Sequence, residues 1–274
     1  MTAAASKRDV LFVNPNSGGG KAVRAGLVER ARERGIEVAL IGPDKPLGAL
    51  VDEAVASGAD ALGAAGGDGT LALVAAAAVA HDVPFVCIPA GTRNHFALDL
   101  GLDRHDIVGA LDAFTDGVER RIDVPEVNGR LFLNNVSLGV YGEAVQQPAY
   151  RDAKARTLAE TTVRVLGPST AAPDLQVVDD RSHLHRHASV VLVSNNPYAL
   201  EPPHAPGTRP ALDTGRLGVI VLDSTGRSWT ATELEVNAGD PVHAGIDGEA
   251  VELSSPLRFV IRPRALRVRV PSRR

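Results

Sequence analysis

The stretch ADALGAAGGDGTLALVAAAAVA, residues 59–80, decides how the chain is read. It opens on an apolar run of strand length, passes through a Gly-Gly-Asp-Gly-Thr turn, and continues without a single charge to Ala80. That pattern predicts a strand, a turn and a buried helix over Thr70–His81. One carboxylate, Asp68, stands among three glycines at the mouth of the apolar helix. Helix capping would explain it simply. A carboxylate beside a bound anion instead calls for a cation such as Mg²⁺, or a donor hydroxyl, between the two charges.

The same alternation extends in both directions. DVLFVNP (9–15) predicts a strand followed by a helix over Lys21–Arg34; GIEVALIGP reads as a second strand; LGALVDEAVASG reads as a helix closed by Gly58; VPFVCIPAG reads as a strand after the buried helix. Strands alternating with helices imply a parallel sheet covered on both faces, with ligands beyond the strands' carboxyl ends. Past residue 122 the rhythm changes. Asn128-Gly129 signals a hairpin, Ala149–Leu166 is a polar helical stretch, and the segments from Asp174 to Pro263 read as successive strands without helices. The expected fold class is therefore α/β: a Rossmann-like parallel-sheet domain over 1–122, then a mainly antiparallel, sandwich-like domain over 123–256.

Composition narrows the function classes. With 274 residues, 44% hydrophobic, the chain can bury a large core, and a net charge of −4 gives no reason to expect nucleic acid. The N-terminal segment shows no signal-peptide pattern, and the longest apolar window, Leu71–Ala80, is too short to span a bilayer. A cytoplasmic chain is expected, with any membrane contact peripheral at the inner surface. The lone Cys87 lies in an apolar run and reads as a buried thiol.

Three loops at predicted strand ends carry the chemistry. NPNSGGGKA (14–22) opens a helix, where free N–H groups and the helix dipole favour phosphate. It is not a Walker A loop, because Pro15 occupies the first glycine position and Ala22 replaces the hydroxyl residue. GGDGT (66–70) supplies a second set of donors at the same sheet edge. PAGTRNHFALDLGL (89–102) adds Gly91, Thr92 and Asn94, with Arg93 for charge. Together they describe a nucleotide cradle.

These stretches, with NNVSLGVYGE, VSNNPY and IDGE after them, resemble in order the successive signatures of the diacylglycerol kinase catalytic-domain family, bacterial lipid kinases related to sphingosine kinases and NAD kinases. The resemblance spans nearly the whole chain. It implies ATP between a nucleotide domain and a sandwich-like domain, transfer of the γ-phosphate with Mg²⁺ to a lipid hydroxyl, and return of the C-terminal segment 257–274 to the first domain. By the same resemblance Gly66, Gly67, Asp68, Gly69, Thr70 and Thr92 would bind ATP. Asn14, Ser17, Gly18, Gly19 and Lys21 would hold its phosphates, and Gly91 and Asn94 would complete the third loop. Glu249 would accept the proton, with Asp247 as its partner or its competitor for that role. The acceptor could be diacylglycerol, another glycerolipid or a sphingoid base, and the pattern leaves room for a homodimer. Two alternatives stand beside this reading: an NAD kinase-like enzyme, and a nucleotide- or lipid-binding protein without turnover.

The chain departs from the family pattern at three places. His95 stands where the family generally has Asp, Ala72-Leu73 replace an Asn-Glu pair, and Thr214 occupies the position of a structural-metal Asp, with Asp213 beside it as a substitute ligand. HLHRH (183–187) places His183, His185 and His187 at strand spacing, read as a solvent-facing edge in preference to a metal site. The tail from Leu257 carries seven arginines and no acid, a stripe suited to one wet strand face or to an anionic lipid surface through Arg267, Arg269, Arg273 and Arg274.

Overall fold

The computed structural model describes residues 7–139, 175–200, 208–222, 226–239 and 241–272. The polar stretch Ala149–Leu166, and Arg273 and Arg274 of the tail, lie outside them. The chain forms two compact units, residues 1–122 with 264–274, and residues 123–263.

The first unit is built on β1 (Asp9–Val13), β2 (Glu37–Leu40), β3 (Ala61–Ala65) and β4 (Phe85–Ile88). They lie in the order β2-β1-β3-β4, all parallel, and Val268 and Arg269 of the C-terminal strand add a further parallel pairing beside Phe85 and Val86. Every residue of β1, β3 and β4 is buried, the signature of parallel strands covered on both faces. Gly63 in β3 has a packing reason: a Cβ there would stand 2.3 Å from Cζ of Phe114, so the missing side chain admits that ring. The chain leaves β1 for β2 on one side and returns past β1 to β3 on the other. The sheet order therefore reverses between β1 and β3, where sheets of this kind bind ligands.

The helices are α1 (Lys21–Arg24), α2 (Leu27–Glu33), α3 (Leu47–Ala56), α4 (Asp68–Ala80), α5 (His95–Asp99) and α6 (Asp112–Thr115). The single helix expected over Lys21–Arg34 is broken, because Gly26 takes a left-handed conformation (φ 60°) and starts α2 afresh. The buried helix begins at Asp68, two residues earlier than expected; extended Gly67 (φ −81°, ψ 176°) is its N-cap. Leu71, Val74, Ala75 and Ala78 of α4 face the core.

The second unit takes up the chain within β5 (Gly117–Val127) and continues through β6 (Arg130–Leu131), β7 (Asn135–Gly139), β8 (Leu175–Asp179), β9 (Leu184–Ala188), β10 (Val190–Asn195), β11 (Leu217–Leu222), β12 (Arg227–Ala231), β13 (Glu233–Asn237), β14 (Val242–Ile246), β15 (Glu249–Leu253) and the first half of β16 (Leu257–Pro271). Asn128 and Gly129, both at positive φ, close β5 onto β6. One antiparallel sheet runs β12-β11-β10-β7-β14-β15, and a second runs β16-β13-β8-β9. Val136, Leu138, Val191, Val193, Val219 and Ile246 from the first meet Val177, Leu234, Val236 and Phe259 from the second in one core. At one margin the edge strands of the two sheets touch: the His185 ring of β9 stacks on Trp229 of β12, centroids 4.4 Å apart. Arg264, at φ 52°, interrupts β16 where its pairing passes from β13 to β4.

Among the described residues, no helix is long and apolar enough to cross a membrane. The expected arginine stripe is partly consumed within the fold. Arg267 donates to both carboxylate oxygens of Glu119 (2.7 and 3.2 Å) and Arg269 donates to one of them at 3.3 Å. Arg267's hydrogen bond, opposed by desolvation and supported by the charges of both arginines, holds the Glu119 carboxyl below its ordinary range.

Candidate functional site

The three glycine loops pack directly on one another. The Asn14 N–H donates to Ala65 O at 2.9 Å, extending β1 toward the end of β3. Asn14 Oδ1 accepts the Asn16 N–H at 3.0 Å, a side-chain turn that starts the first loop. Gly18, Gly19 and Gly20 follow, all left-handed. Gly18 lies so close to the third loop that a Cβ would stand 2.4 Å from Ala90 O, whereas Gly19 has nothing within 4 Å of its Cβ position. Lys21 Nζ donates to Gly91 O at 3.0 Å, tying the first helix to the third loop. Gly91 in turn touches the second loop, since a Cβ there would stand 2.8 Å from Gly66 O.

Asp68 occupies the first turn of α4, one residue inside the N-cap, where the helix dipole favours a negative charge. Burial first, and then the Asp68 charge, push the Cys87 thiol well above its ordinary range. Thr70 lies under Gly66, its side chain 2.7 Å from where a Cβ would be. Asn94 starts α5 in a left-handed conformation, is 2% exposed, and donates from Nδ2 to Pro89 O at 3.0 Å. Among the described residues its Oδ1, which is buried, has no hydrogen-bond partner. Thr92, Arg93 and His95 are exposed around it. The structure thus gathers Asn14, Ser17, Gly18, Gly19, Lys21, Gly66, Gly67, Asp68, Gly69, Thr70, Gly91, Thr92 and Asn94 onto three adjoining loops.

The second unit carries the remaining candidates. Asp247 and Gly248, both at positive φ, form the two-residue turn between β14 and β15. The Asp247 carboxylate accepts the N–H groups of Leu133 (2.8 Å), Asn134 (2.7 Å) and Asn135 (3.1 Å). Glu249, first in β15, is exposed, with Arg130 Nη2 3.9 Å from its Oε2. Beside the turn, Asn135 Nδ2 donates to the Tyr198 hydroxyl at 2.9 Å, and Tyr198 lines a pocket of about 540 Å³ with Pro197, Leu200, Pro210 and Ala211.

VSNNPY is a buried junction. Asn195 Nδ2 donates to the carbonyls of Asp123 and Leu133, and Asn196 Nδ2 donates to Asn195 Oδ1. Asn196 Oδ1 accepts the Thr214 N–H at 2.9 Å and its hydroxyl at 2.5 Å, while the Gly215 N–H donates to Asp123 Oδ2. Thr214 is thus hydrogen-bonded into the loop at the structural-metal position, and Asp213 is exposed. Among the described residues, no group of three or more His, Cys, Asp or Glu side chains is placed to hold a metal ion.

The three-histidine strand face does not form as its spacing suggested. His183 lies in the turn before β9 and His187 is left-handed (φ 60°), so the alternation fails at both ends. His183 and His185 approach the same oxygen of Asp179, at 3.3 and 3.4 Å. Burial opposes ionisation of Asp179, yet the N–H groups of His183 and Arg181 and the His185 ring hold its carboxyl below the usual range.

Sequence reasoning missed Arg209. It is 3% exposed and donates to the carbonyls of Leu133 (2.7 Å) and Asn195 (3.0 Å) and to Asn134 Oδ1 (2.8 Å). Nothing adjacent in sequence marks it, because these acceptors are backbone carbonyls and an amide on other segments.

The model of the diacylglycerol kinase catalytic domain matches residues 8–127. The "Probable lipid kinase YegS-like" of Pseudomonas aeruginosa is 30% identical over 293 aligned residues, covering 96% of this chain and 94% of that protein. A diacylglycerol kinase of Mycobacterium tuberculosis is 36% identical over 120 residues, 42% of this chain and 39% of that protein. A crystal structure of a diacylglycerol kinase from Bacillus anthracis superposes with a TM-score of 0.72 at 19% identity, covering 96% of both chains, a likeness of fold. With a lipid kinase matched along nearly its full length and the catalytic-domain model lying over the three loops, the chain belongs to the diacylglycerol kinase catalytic-domain family of lipid kinases.

Proposed function

We propose that the chain transfers the γ-phosphate of ATP, with Mg²⁺, to a free hydroxyl of a diacylglycerol-like lipid. The observation that carries the nucleotide reading is the mutual packing of the three glycine loops where the sheet order reverses. Gly19 presents open backbone, α4 directs the positive end of its dipole to the second loop, and the buried Asn94 Oδ1 offers an acceptor to a nucleotide hydroxyl or amino group. Lys21, half-buried and anchored on the third loop, would place a positive charge beside the phosphates.

The donor set suits Mg²⁺, which usually takes one or two carboxylates and completes its shell with phosphate oxygens and water. Asp68 would supply that carboxylate, and the bound ion would neutralise charge developing on the transferring group. Glu249, exposed and not committed to backbone donors in the way Asp247 is, would accept the proton of the lipid hydroxyl. As that O–H bond breaks, the hydroxyl oxygen bonds to the γ-phosphorus, the bond to the bridging oxygen breaks, and ADP departs. The apolar part of the acceptor would rest in the pocket beside Tyr198, and the enzyme would meet its lipid at a membrane surface, peripherally.

The direct test incubates the protein with γ-labelled ATP, Mg²⁺ and diacylglycerol in mixed micelles. Labelled phosphatidic acid that disappears on chelation supports the reading. Labelled ATP that binds without any labelled lipid refutes it.

A further inference from the structure

We propose that Asp247 and Arg209 are positioning residues for phosphoryl transfer, gripping the Leu133–Asn135 segment from its two polar sides and so fixing the turn that carries Glu249. The proposal rests on the reading of Glu249 as proton acceptor.

Consider first what the segment offers. Its three N–H groups all point to one carboxylate: Leu133 N–H to Asp247 Oδ2 at 2.8 Å, and those of Asn134 and Asn135 to Oδ1 at 2.7 and 3.1 Å. The Leu133 carbonyl and the Asn134 side-chain oxygen point the other way, to a guanidinium. Arg209 Nη1 donates to Leu133 O at 2.7 Å and Nη2 to Asn134 Oδ1 at 2.8 Å, with Asn195 O accepting from Nη1 at 3.0 Å. Of the other two carbonyls, Asn134 O accepts the Asn195 N–H at 2.9 Å and Asn135 O accepts the N–H of Asp247 itself at 2.9 Å. One stretch of main chain is thus held between two opposite charges, both almost wholly buried, through charge-assisted hydrogen bonds.

The consequence falls on Glu249, two residues past Asp247 and just outside the turn. Asp247-Gly248, with both residues at positive φ, is a favoured two-residue hairpin turn. Its first residue is further pinned to the Leu133–Asn135 segment by four hydrogen bonds, so β15 starts from a fixed point and the Glu249 side chain leaves from it. The same contacts argue against Asp247 as the base. Turning its carboxylate toward a substrate proton would strand buried N–H groups. Arg209 supports the segment from behind, and its planar fork reaches three acceptors at once, which a lysine cannot match.

The test uses the purified full chain as wild type, Asp247→Asn, Arg209→Lys, Glu249→Gln and the Asp247→Asn/Glu249→Gln double variant, each checked for folding by thermal melting. In Asp247→Asn an amide N–H₂ faces a backbone N–H where a carboxylate oxygen stood. The expected result is a fall in kcat of about 10²-fold, the cost of an ångström-scale misplacement, with KM for ATP and for lipid changed by less than about twofold. Arg209→Lys should show the same split more weakly, and it keeps the test open should Asp247→Asn fail to fold. The acid limb of the pH–kcat profile should survive in Asp247→Asn and vanish in Glu249→Gln. The double variant should be no slower than Glu249→Gln alone, because Asp247 acts only through Glu249. Loss of the acid limb in Asp247→Asn, multiplicative losses in the double variant, or wild-type kcat in both single positioning variants would overturn the proposal. Absence of lipid phosphorylation by the wild-type chain would instead remove the reading beneath it, and the proposal with it.

Discussion

Replacing Gly18 by alanine separates loop packing from backbone strain. Gly18 (φ 56°) and Gly19 (φ 67°) are neighbours in the same left-handed conformation, so alanine at either pays a similar conformational cost of about 1–2 kcal/mol. They differ in what a methyl would meet. At Gly19 nothing lies within 4 Å; at Gly18 the methyl would stand 2.4 Å from Ala90 O and 3.1 Å from Gly91 O, both main-chain atoms of the third loop. Neither can turn aside as a side chain would, so one loop must move, at a further cost of about 1–3 kcal/mol. Gly18→Ala should therefore melt about 2–4 °C lower than Gly19→Ala for each extra kcal/mol. If the displaced loop belongs to the nucleotide site, its ATP affinity should also fall about tenfold or more below that of Gly19→Ala, since about 1.4 kcal/mol is a factor of ten. Differential scanning fluorimetry and calorimetric titration with ATP read the two effects. Indistinguishable melting points and affinities for the two variants would refute the reasoning.

Glu119 is held below the ordinary carboxylate range by Arg267 and Arg269, so its stabilising contribution is present above the unfolded value of about 4.3 and is lost as the pH falls through the lower folded value. The stability gap between wild type and Glu119→Gln in urea should be open at neutral pH and close in strong acid; a gap unchanged by acid would contradict the assignment. His185→Ala should destabilise the chain by about 0.5–1.5 kcal/mol and shift the emission of Trp229, its single tryptophan, to the red as the indole loses its stacking partner. An unshifted emission maximum would show that the two edge strands do not meet there. Ala211→Trp, which fills the pocket beside Tyr198, should raise KM for a long-chain diacylglycerol several-fold and leave KM for ATP unchanged, and equal effects on both substrates would argue against acceptor binding in that pocket.

Legibility in the sequence followed the range of the interactions. The parallel strands and the GGDGT turn were readable because apolar runs and glycines act locally, and the Asn128-Gly129 hairpin for the same reason. Single backbone torsions misled the reading. Gly26 splits a helix whose apolar periodicity runs through it, Gly67 caps α4 ahead of the first periodic residue, and left-handed His187 undoes a strand alternation that looked complete. Asp247 and Glu249 were inseparable in IDGE, since what distinguishes them is a set of N–H donors more than a hundred residues earlier in the chain. Arg209 was invisible for a related reason: carbonyl oxygens leave no residue-type signature. The tail arginines showed only their charge, whereas Glu119, far away in sequence, occupies Arg267 and Arg269.

The most direct measurement follows label from γ-labelled ATP into lipid, using a total lipid extract and wild-type, Asp68→Ala and Glu249→Gln proteins that melt alike. The account predicts one labelled phospholipid from the wild type in the presence of Mg²⁺, none above background from either variant, and ATP binding retained by Glu249→Gln. Wild-type levels of labelled lipid from both variants, or none from any of the three proteins, would contradict it.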